Sequence, residues 1–368
     1  MIEIKQLTKK SLLEYIQSSQ FGEGDAIPIS MHRALSQMQN PKLSEEDTML
    51  LLAVENDNLL GYLGLLPDTI SIHNELPYKV IWLSCMWVSQ QARGKGISMQ
   101  LLQKSFELGN KNILLADYVP FTKTIYDKTH QFNEEPYSKK GIRLYIKADF
   151  QHILPPKNAF LGKLTGIFKA IDYSVNMLLN LRLSFYKEDV SQLIFEYSDQ
   201  IDDEVNDFII SKQATELFKR QKDDLNWIIQ HPWILSADEK DALNTKYYFS
   251  STAKTFNFYA LKIRNADNRL IAFMIFSKRE NTLKLPYLYH DNCIDTVIKV
   301  LNYHIIKWKI NTFTSYHSEL AQTLMNKKTP AIYKKVTQRN YMISSALKNT
   351  LFHSNHDIQD GDGDCVFT

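Results

Sequence analysis

Three cysteines, Cys85, Cys293 and Cys365, are all that the 368 residues carry, and they stand far apart. So few thiols at such spacings build neither a disulfide framework nor a zinc site, and no metal is expected. Long apolar runs are missing as well. No stretch approaches the ~18 residues of a membrane-spanning helix, and Met1-Ile2-Glu3-Ile4-Lys5 lacks the basic and then apolar regions of a secretory leader. The chain therefore reads as cytoplasmic. An excess of one charge is absent too: 43 Lys and Arg face 41 Asp and Glu, for a net charge of +2, which gives no electrostatic case for a nucleic-acid partner. What is present is ordinary for a globular protein with a sizeable core, 44% hydrophobic and 23% charged residues. The length favours two domains. Composition leaves the oligomeric state open.

Against this background one segment stands out. Residues 91–98 read Gln-Ala-Arg-Gly-Lys-Gly-Ile-Ser. Before them, Val80 to Val88 is rich in β-branched and aromatic residues, as strands are. After them, Ile97, Leu101, Leu102, Ser105 and Leu108 fall on one face at helical spacing. Gly94 and Gly96 let a backbone approach a ligand closely, and the first turn of the helix offers free N–H groups and the positive end of its dipole. Arg93 and Lys95 add charge of the matching sign. Such a junction can hold a pyrophosphate. A phosphate-binding P-loop would need Gly-Lys-Ser/Thr after a longer glycine loop, and a dinucleotide fingerprint would need a third glycine and a downstream acid; neither is there.

Gln91-x-x-Gly94-x-Gly96, with a strand and Val88 before it and a helix after it, resembles the acyl-CoA signature of the GNAT (GCN5-related N-acetyltransferase) superfamily. The first 150 residues support the resemblance by their order. Strand Ile2–Leu7, helices Lys9–Ser18 and Ile29–Met38, and an apolar hairpin of Thr48–Glu55 and Leu59–Leu66 around Asn56-Asp57-Asn58 come first. A strand near Thr69–His73, a turn at Leu76-Pro77 and the motif strand and helix follow. Strand Asn112–Val119, a helix from Thr122 to about His130 and strand Gly141–Ala148 close the domain. The resemblance implies an α/β (α+β) fold with a mixed, splayed central sheet, in which pantetheine slots between the strands carrying Val88 and Leu115. The backbone of Met86 and Val88 would receive the pantetheine arm, and Gln91, Arg93, Gly94, Lys95, Gly96, Ile97 and Ser98 the pyrophosphate. Cys85, inside the motif strand, reads as a small core thiol.

Beyond residue 150 the character changes. Segment 151–187 carries an apolar helical stripe, Phe160, Leu161, Leu164, Ile167, Phe168, Ile171, Val175, Leu178 and Leu179, opposite Lys157, Lys163, Lys169 and Arg182. A basic amphipathic helix can lie on a membrane, but an apolar stripe is more often buried in its own protein, so the segment is expected to bridge two halves. Residues 188–350 give a second α/β order: helices Asp202–Ile210 and Lys212–Ile229, strands Phe256–Ile263, Leu270–Lys278 and Thr282–Tyr289, helix Cys293–Lys307, strand Ile310–Ser315 and helix His317–Asn326. This too resembles a GNAT core, but His290-Asp291-Asn292-Cys293 stands where the glycine turn would be, so no CoA site is expected there. Residues 351–368 include the alternation Asp360-Gly361-Asp362-Gly363-Asp364, followed by Cys365-Val366-Phe367-Thr368. The chain stops before the ligand that would complete a calcium loop, and a frayed acidic tail is expected.

Acyl transfer to an amine needs an acid for the departing thiolate and a base for the amine. By resemblance Tyr126, early in the helix after the Leu115 strand, is the general acid; a packing tyrosine is the plainer reading. The glutamate that many relatives place at the start of the motif strand is missing, Val80 and Ile81 standing there. Glu23 and Asp25 in the loop between the first helices, and Asp117 at the end of the splayed strand, are candidates for the base, each also an ordinary exposed acid. A resemblance to multidomain aminoglycoside-type acetyltransferases adds the terminal carboxylate of Thr368. The sequence thus points to an N-acyltransferase using acetyl-CoA as cosubstrate and a small-molecule amine acceptor in preference to a protein. Two other readings stay open: an aminoacyltransferase resembling the Fem enzymes, and a CoA-binding regulatory protein without turnover.

Overall fold

The computed structural model describes residues 1–71, 77–116, 118, 120–133, 136–154, 158–237, 242–351 and 356–367. Its strands are β1 (Glu3–Leu7), β2 (Leu50–Glu55), β3 (Asn58–Ile70), β4 (Tyr78–Val88), β5 (Ile113–Ala116), β6 (Tyr137–Tyr145), β7 (Ile194–Ser198), the short β8 (Leu235–Ser236) and β9 (Thr252–Ala253), β10 (Phe256–Arg264), β11 (Leu270–Arg279), β12 (Thr282–His290), β13 (Thr312–Ser315) and β14 (Tyr333–Ile343). All but β8 and β9 join one mixed sheet in the order β1-β2-β3-β4-β5-β14-β6-β13-β12-β11-β10-β7. The fold is α/β, as the sequence predicts.

Local chemistry sets most of these elements. Asn56 and Asp57 take φ of 51° and 63°, the left-handed turn that closes the β2–β3 hairpin without splaying its strands. Two parallel strands cannot be joined by a tight turn, and helix Ile97–Leu108 carries the chain from β4 to β5, as helix Ile294–Lys307 carries it from β12 to β13. The first of these buries Ile97, Leu101, Leu102, Ser105 and Phe106. The expected separate strand at Thr69, which would have run into residues outside those described, is instead the end of β3. Pro67 lies beyond Leu50, the first β2 residue in the ladder, and its missing N–H interrupts no bond there. The expected helix from Lys212 begins only at Lys222, where Gln221 and Asp224 form a reciprocal cap.

The closing strand of each half crosses to the other. β14 pairs with β5, β6 pairs with β13, and β6 and β14 pair with each other through Tyr333↔Tyr145 to Tyr341↔Tyr137. A cut at residue 150 therefore separates β6 from both strands it pairs with. A core shared between the halves gathers Trp82, Phe218, Trp233, Tyr287, Tyr341 and Phe367.

Two expectations are corrected. The apolar stripe of segment 151–187 is not buried as expected: its long helix, Thr165–Ser184, touches Ala148 through Asn176 and Pro330 through Arg182 but buries only Asp172 and Leu183, while Ile167 is 57% and Leu178 70% exposed. Sequence periodicity reports that a face is apolar, not that something covers it. Among the described residues, no helix is long and apolar enough to cross a membrane. The second correction concerns the tail. Residues 358–367 are buried except for half-buried Asp364; the expected fraying does not occur because each part of the segment has a partner. Arg339 pairs with Asp360, Arg220 Nε donates to Asp362 at 3.0 Å, and Phe367 stacks on Trp233 with centroids 4.2 Å apart.

Candidate active site

Among the described residues, β4 and β5 pair only at Ile81↔Ile113 and Trp82↔Leu114. Beyond Trp82 the strands part, because the β3–β4 ladder shifts register between Tyr62 and Gly64 and Cys85 takes φ of 56°. A bulge of this kind bends a strand and re-aims its side chains. Met86 and Val88, both half-buried, follow on the stretch that β5 has left.

β4 leads into the glycine turn. A short 3₁₀ turn, Gln90–Ala92, is followed by Gly94 at φ 86° and Gly96 at φ 72°, the latter capping helix Ile97–Leu108. Glycine adopts such angles without the Cβ clash that most other residues meet there. A Cβ at either position would meet no atom within 4 Å, so the space over the turn is open. Gln91, Arg93 and Lys95 are exposed, Ser98 is half-buried and Ile97 is core. Lys95 Nζ rests 3.2 Å from Glu55.

At the inner end of the splay lies a cavity of about 360 Å³. Leu83, Ser84, Cys85 and Met86 of β4 form one wall and Leu115, Ala116, Tyr118 and Tyr126 another. Arg33, Phe249, Ser250, Arg279 and Asp364 complete it, so both halves and the tail contribute. Tyr126, on helix Pro120–Asp127, is buried. Burial, and then the charges of Asp364 and Cys85, push its phenol well above the ordinary value, so the proton stays on at neutral pH.

A polar chain runs across the cavity floor. Ser84 Oγ donates to Asp364 Oδ2 at 2.5 Å. Arg33 Nη2 donates to Ser84 Oγ at 2.8 Å, and Arg33 Nη1 reaches Cys85 Sγ at 2.7 Å and Tyr247 Oη at 2.8 Å. Burial opposes charge on Arg33, but Cys85, Tyr247 and Asp364 around it raise its pKa on balance; it remains a cation.

The structure thus brings Met86 and Tyr126 to one cavity, with Val88 and the glycine turn following along β4. Glu23 and Asp25 are exposed in the loop before Ile27 and neither lines the cavity. Asp117 and Thr368 lie outside the described residues. The carboxylate in the cavity is Asp364, which sequence reasoning missed, reading the Asp-Gly alternation as solvated. Its signal was the pair of glycines. A Cβ on Gly361 would fall 2.3 Å from the Tyr287 ring, and Gly363, at φ 76°, passes as closely over Trp82 as to leave a Cβ only 2.8 Å away. Cys85, read as a core thiol, is half-exposed, because the bulge turns it toward the cavity. Among the described residues, no group of three or more His, Cys, Asp or Glu side chains is placed to hold a metal ion.

Comparison with known proteins agrees with this geometry. Residues 5–130 match the family model described as acetyltransferase (GNAT) domain. A search of curated proteins finds no match. Among solved structures, a probable N-acyltransferase from Enterococcus faecalis V583 shares 11% identity at a TM-score of 0.52, covering 94% of this chain and 72% of that one. A GCN5-related N-acetyltransferase from Anabaena variabilis ATCC 29413 gives 11%, 0.51, 93% and 72%. Saccharomyces cerevisiae N-myristoyltransferase with bound myristoyl-CoA gives 11%, 0.51, 93% and 78%. At such identities the likeness is one of fold. Residues 5–130 thus match a GNAT acetyltransferase domain, and the likeness in fold to GNAT-type structures runs through both halves of the chain.

Proposed function

We propose that the chain is an acyl-CoA-dependent N-acyltransferase that moves an acyl group, acetyl in the simplest case, from acetyl-CoA to a primary amine of a small-molecule acceptor. The observation that carries the reading is the splay of β4 from β5, open to a cavity that holds both a protonated phenol and a carboxylate. A pantetheine arm can add to the free edge of β4 at Met86 and Val88 as a peptide strand would. The glycine turn and the helix N-terminus behind it suit the pyrophosphate. Tyr126 is then the acid for the departing CoA thiolate, and Asp364 the base that takes the proton of the attacking amine.

The presence of acid and base in one cavity favours turnover over mere CoA binding, and the glycine turn favours CoA over aminoacyl-tRNA as donor. Phe249, Ser250 and Arg279 from the carboxy-terminal half would shape the acceptor end. Calorimetric titration with acetyl-CoA, and thiol release against a panel of amines, test the reading. Gly96→Glu should abolish binding; unchanged affinity removes the site. Tyr126→Phe and Asp364→Asn should each lower turnover by about 100-fold or more while leaving CoA affinity unchanged, since both act on the reacting atoms. Near-full turnover in either reduces that residue to packing.

A further inference from the structure

Helix Thr165–Ser184 lies along the outside of the molecule and is held from its inner side. Asp172 accepts from Phe150 N and Gln151 N, Asn176 exchanges two bonds with Ala148, and Arg182 Nη2 donates to Pro330 O. These bonds fix the face that the helix turns outward. On it stand Ile167, Ile171, Ser174, Leu178 and Leu181, with Phe185 just past the helix end. Apart from Ser174 they are large and apolar, and their exposure runs from 41% at Ile171 to 77% at Phe185. Met177, also exposed, flanks them. Single apolar residues in water are ordinary, but a contiguous row is not. This one runs about 27 Å along the helix axis, and among the described residues nothing covers it.

The spacing of the row says what kind of surface fits it. Successive members are four, three, four, three and four residues apart, which are the a and d positions of a heptad and keep one seam facing a neighbouring helix. No member is charged. Lys169 and Asp172 stand off the seam, and Asp172 is occupied by backbone amides. Ser174, the one small member, gives its hydroxyl to Ala170 O at 3.1 Å, so it needs no water and leaves room for a large side chain opposite.

A lipid surface is the rival occupant, and the charges disfavour it. A helix lying on a membrane keeps a Lys- and Arg-rich side toward the headgroups. Here the side opposite the row is docked on the protein, Arg182 is held by the Pro330 carbonyl, and a net charge of +2 draws the chain only weakly to anionic lipid. A second copy needs enough area instead. At on the order of 100 Å² for each large apolar side chain, the five of the row and Met177 offer about 600 Å² per chain, or about 1,200 Å² for two chains, the size of a specific, stable interface.

We propose that this face joins the same face of a second copy, the two helices packed lengthwise about a two-fold axis. One patch serves both partners, so the assembly closes at two chains. It stands whatever the cavity beside β4 does.

Light scattering or sedimentation on the full-length protein at micromolar concentration should give twice the 42.9 kDa of one chain. Leu178→Glu and Leu181→Glu place a charge where the single chain already meets water, so each should fold with an unchanged far-UV spectrum and run as one chain. Ile210→Glu, at an exposed position of helix Asp203–Ile210 outside the row, should stay at two. A wild-type mass of one chain up to tens of micromolar overturns the proposal, and so does a dimer that survives both row variants. Flotation with vesicles of equal parts phosphatidylcholine and phosphatidylserine tests the rival. Single chains that float with the vesicles, and cease to in Leu178→Glu, overturn the dimer and give the face to lipid.

Discussion

β4 and β5 run parallel through Ile81↔Ile113 and Trp82↔Leu114 and then part; β12 and β13 run parallel from Thr282↔Thr312 to Lys284↔Thr314 and then part as well. Each pair is followed by the same strand–helix–strand connection, yet the two gaps differ in what fills them. Along the freed stretch of β12, Gly361 N donates to Pro286 O at 2.9 Å and Leu288 N donates to Gln359 Oε1 at 3.1 Å. The chain's own tail lies there, and it goes on to deliver Asp364 to the cavity beside β4. The glycines report the same contrast. Those of the first turn face open space, whereas Gly361 and Gly363 are pressed against Tyr287 and Trp82. A splayed strand pair is thus a slot that a ligand or a peptide can occupy, and the tail fills the second slot while the first stays open.

The sharpest way to break the comparison is all or none. Titration of the intact chain with acetyl-CoA should give a stoichiometry near one, the tail holding the second slot; a value near two, with one site surviving Gly96→Glu, would end the contrast. The next effect is on stability. Arg220 donates two bonds to Asp68, at 2.9 and 2.8 Å, and a third to Asp362 at 3.0 Å, tying the second half to β3 and to the tail. Arg220→Ala leaves two buried carboxylates without their cation and should cost about 3–5 kcal/mol in urea unfolding, with turnover falling as Asp364 leaves the cavity.

A smaller effect separates the two kinds of glycine. Gly361→Ala forces a Cβ into the Tyr287 ring and should destabilise by about 1–3 kcal/mol with CoA affinity retained. Gly96→Ala meets no protein atom and should cost only the left-handed backbone penalty, about 1 kcal/mol, while CoA affinity drops. Reversed outcomes would mean that the open and filled slots have been exchanged.

The smallest effect is a slope with pH. Glu216 accepts from Gln359 Nε2 at 2.7 Å, and burial, followed by the charge of Asp362, raises its pKa from 4.5 to about 8. Asp362, driven chiefly by burial, rises from 3.8 to about 6 against the pull of Arg220. Between the unfolded and folded values the native chain holds protons that the unfolded chain has released, so stability falls as pH rises through that window and levels off above about 8. Buried His304 and His317, with pKa lowered from 6.5 to about 4, act in the opposite sense below pH 6.5, so melting temperatures should decline between pH 6.5 and about 8, and Glu216→Gln should flatten that decline. An unchanged slope would mean that Glu216 is ionised where it stands.

Much of the first slot was legible in the sequence because it is local. The glycine turn lies between a strand and a helix that its own neighbours specify, and Tyr126 follows at a short distance in the chain. The second slot was legible only as the lack of such a turn. Asp364 was not legible, since its place depends on Ser84, 280 residues earlier, and on ring contacts at Tyr287 and Trp82 that no local pattern encodes. The bulge at Cys85 depends on how β3 registers against β4, and the apolar run around it concealed the thiol's exposure. The stripe of helix Thr165–Ser184 misled for the opposite reason: its periodicity is real, and its outer face is bare.

The sequence by itself determined the α/β class, the hairpin, the two parallel crossovers and the glycine turn, because each follows from dihedral preference and hydrophobic period over a few residues. The tertiary structure alone decided which strands lie side by side at the junction, where β14 enters between β5 and β6. It also decided what fills the second slot and which carboxylate reaches the cavity. Those outcomes rest on pairing and burial between segments hundreds of residues apart, whose free energy exists only once the chain has brought them together.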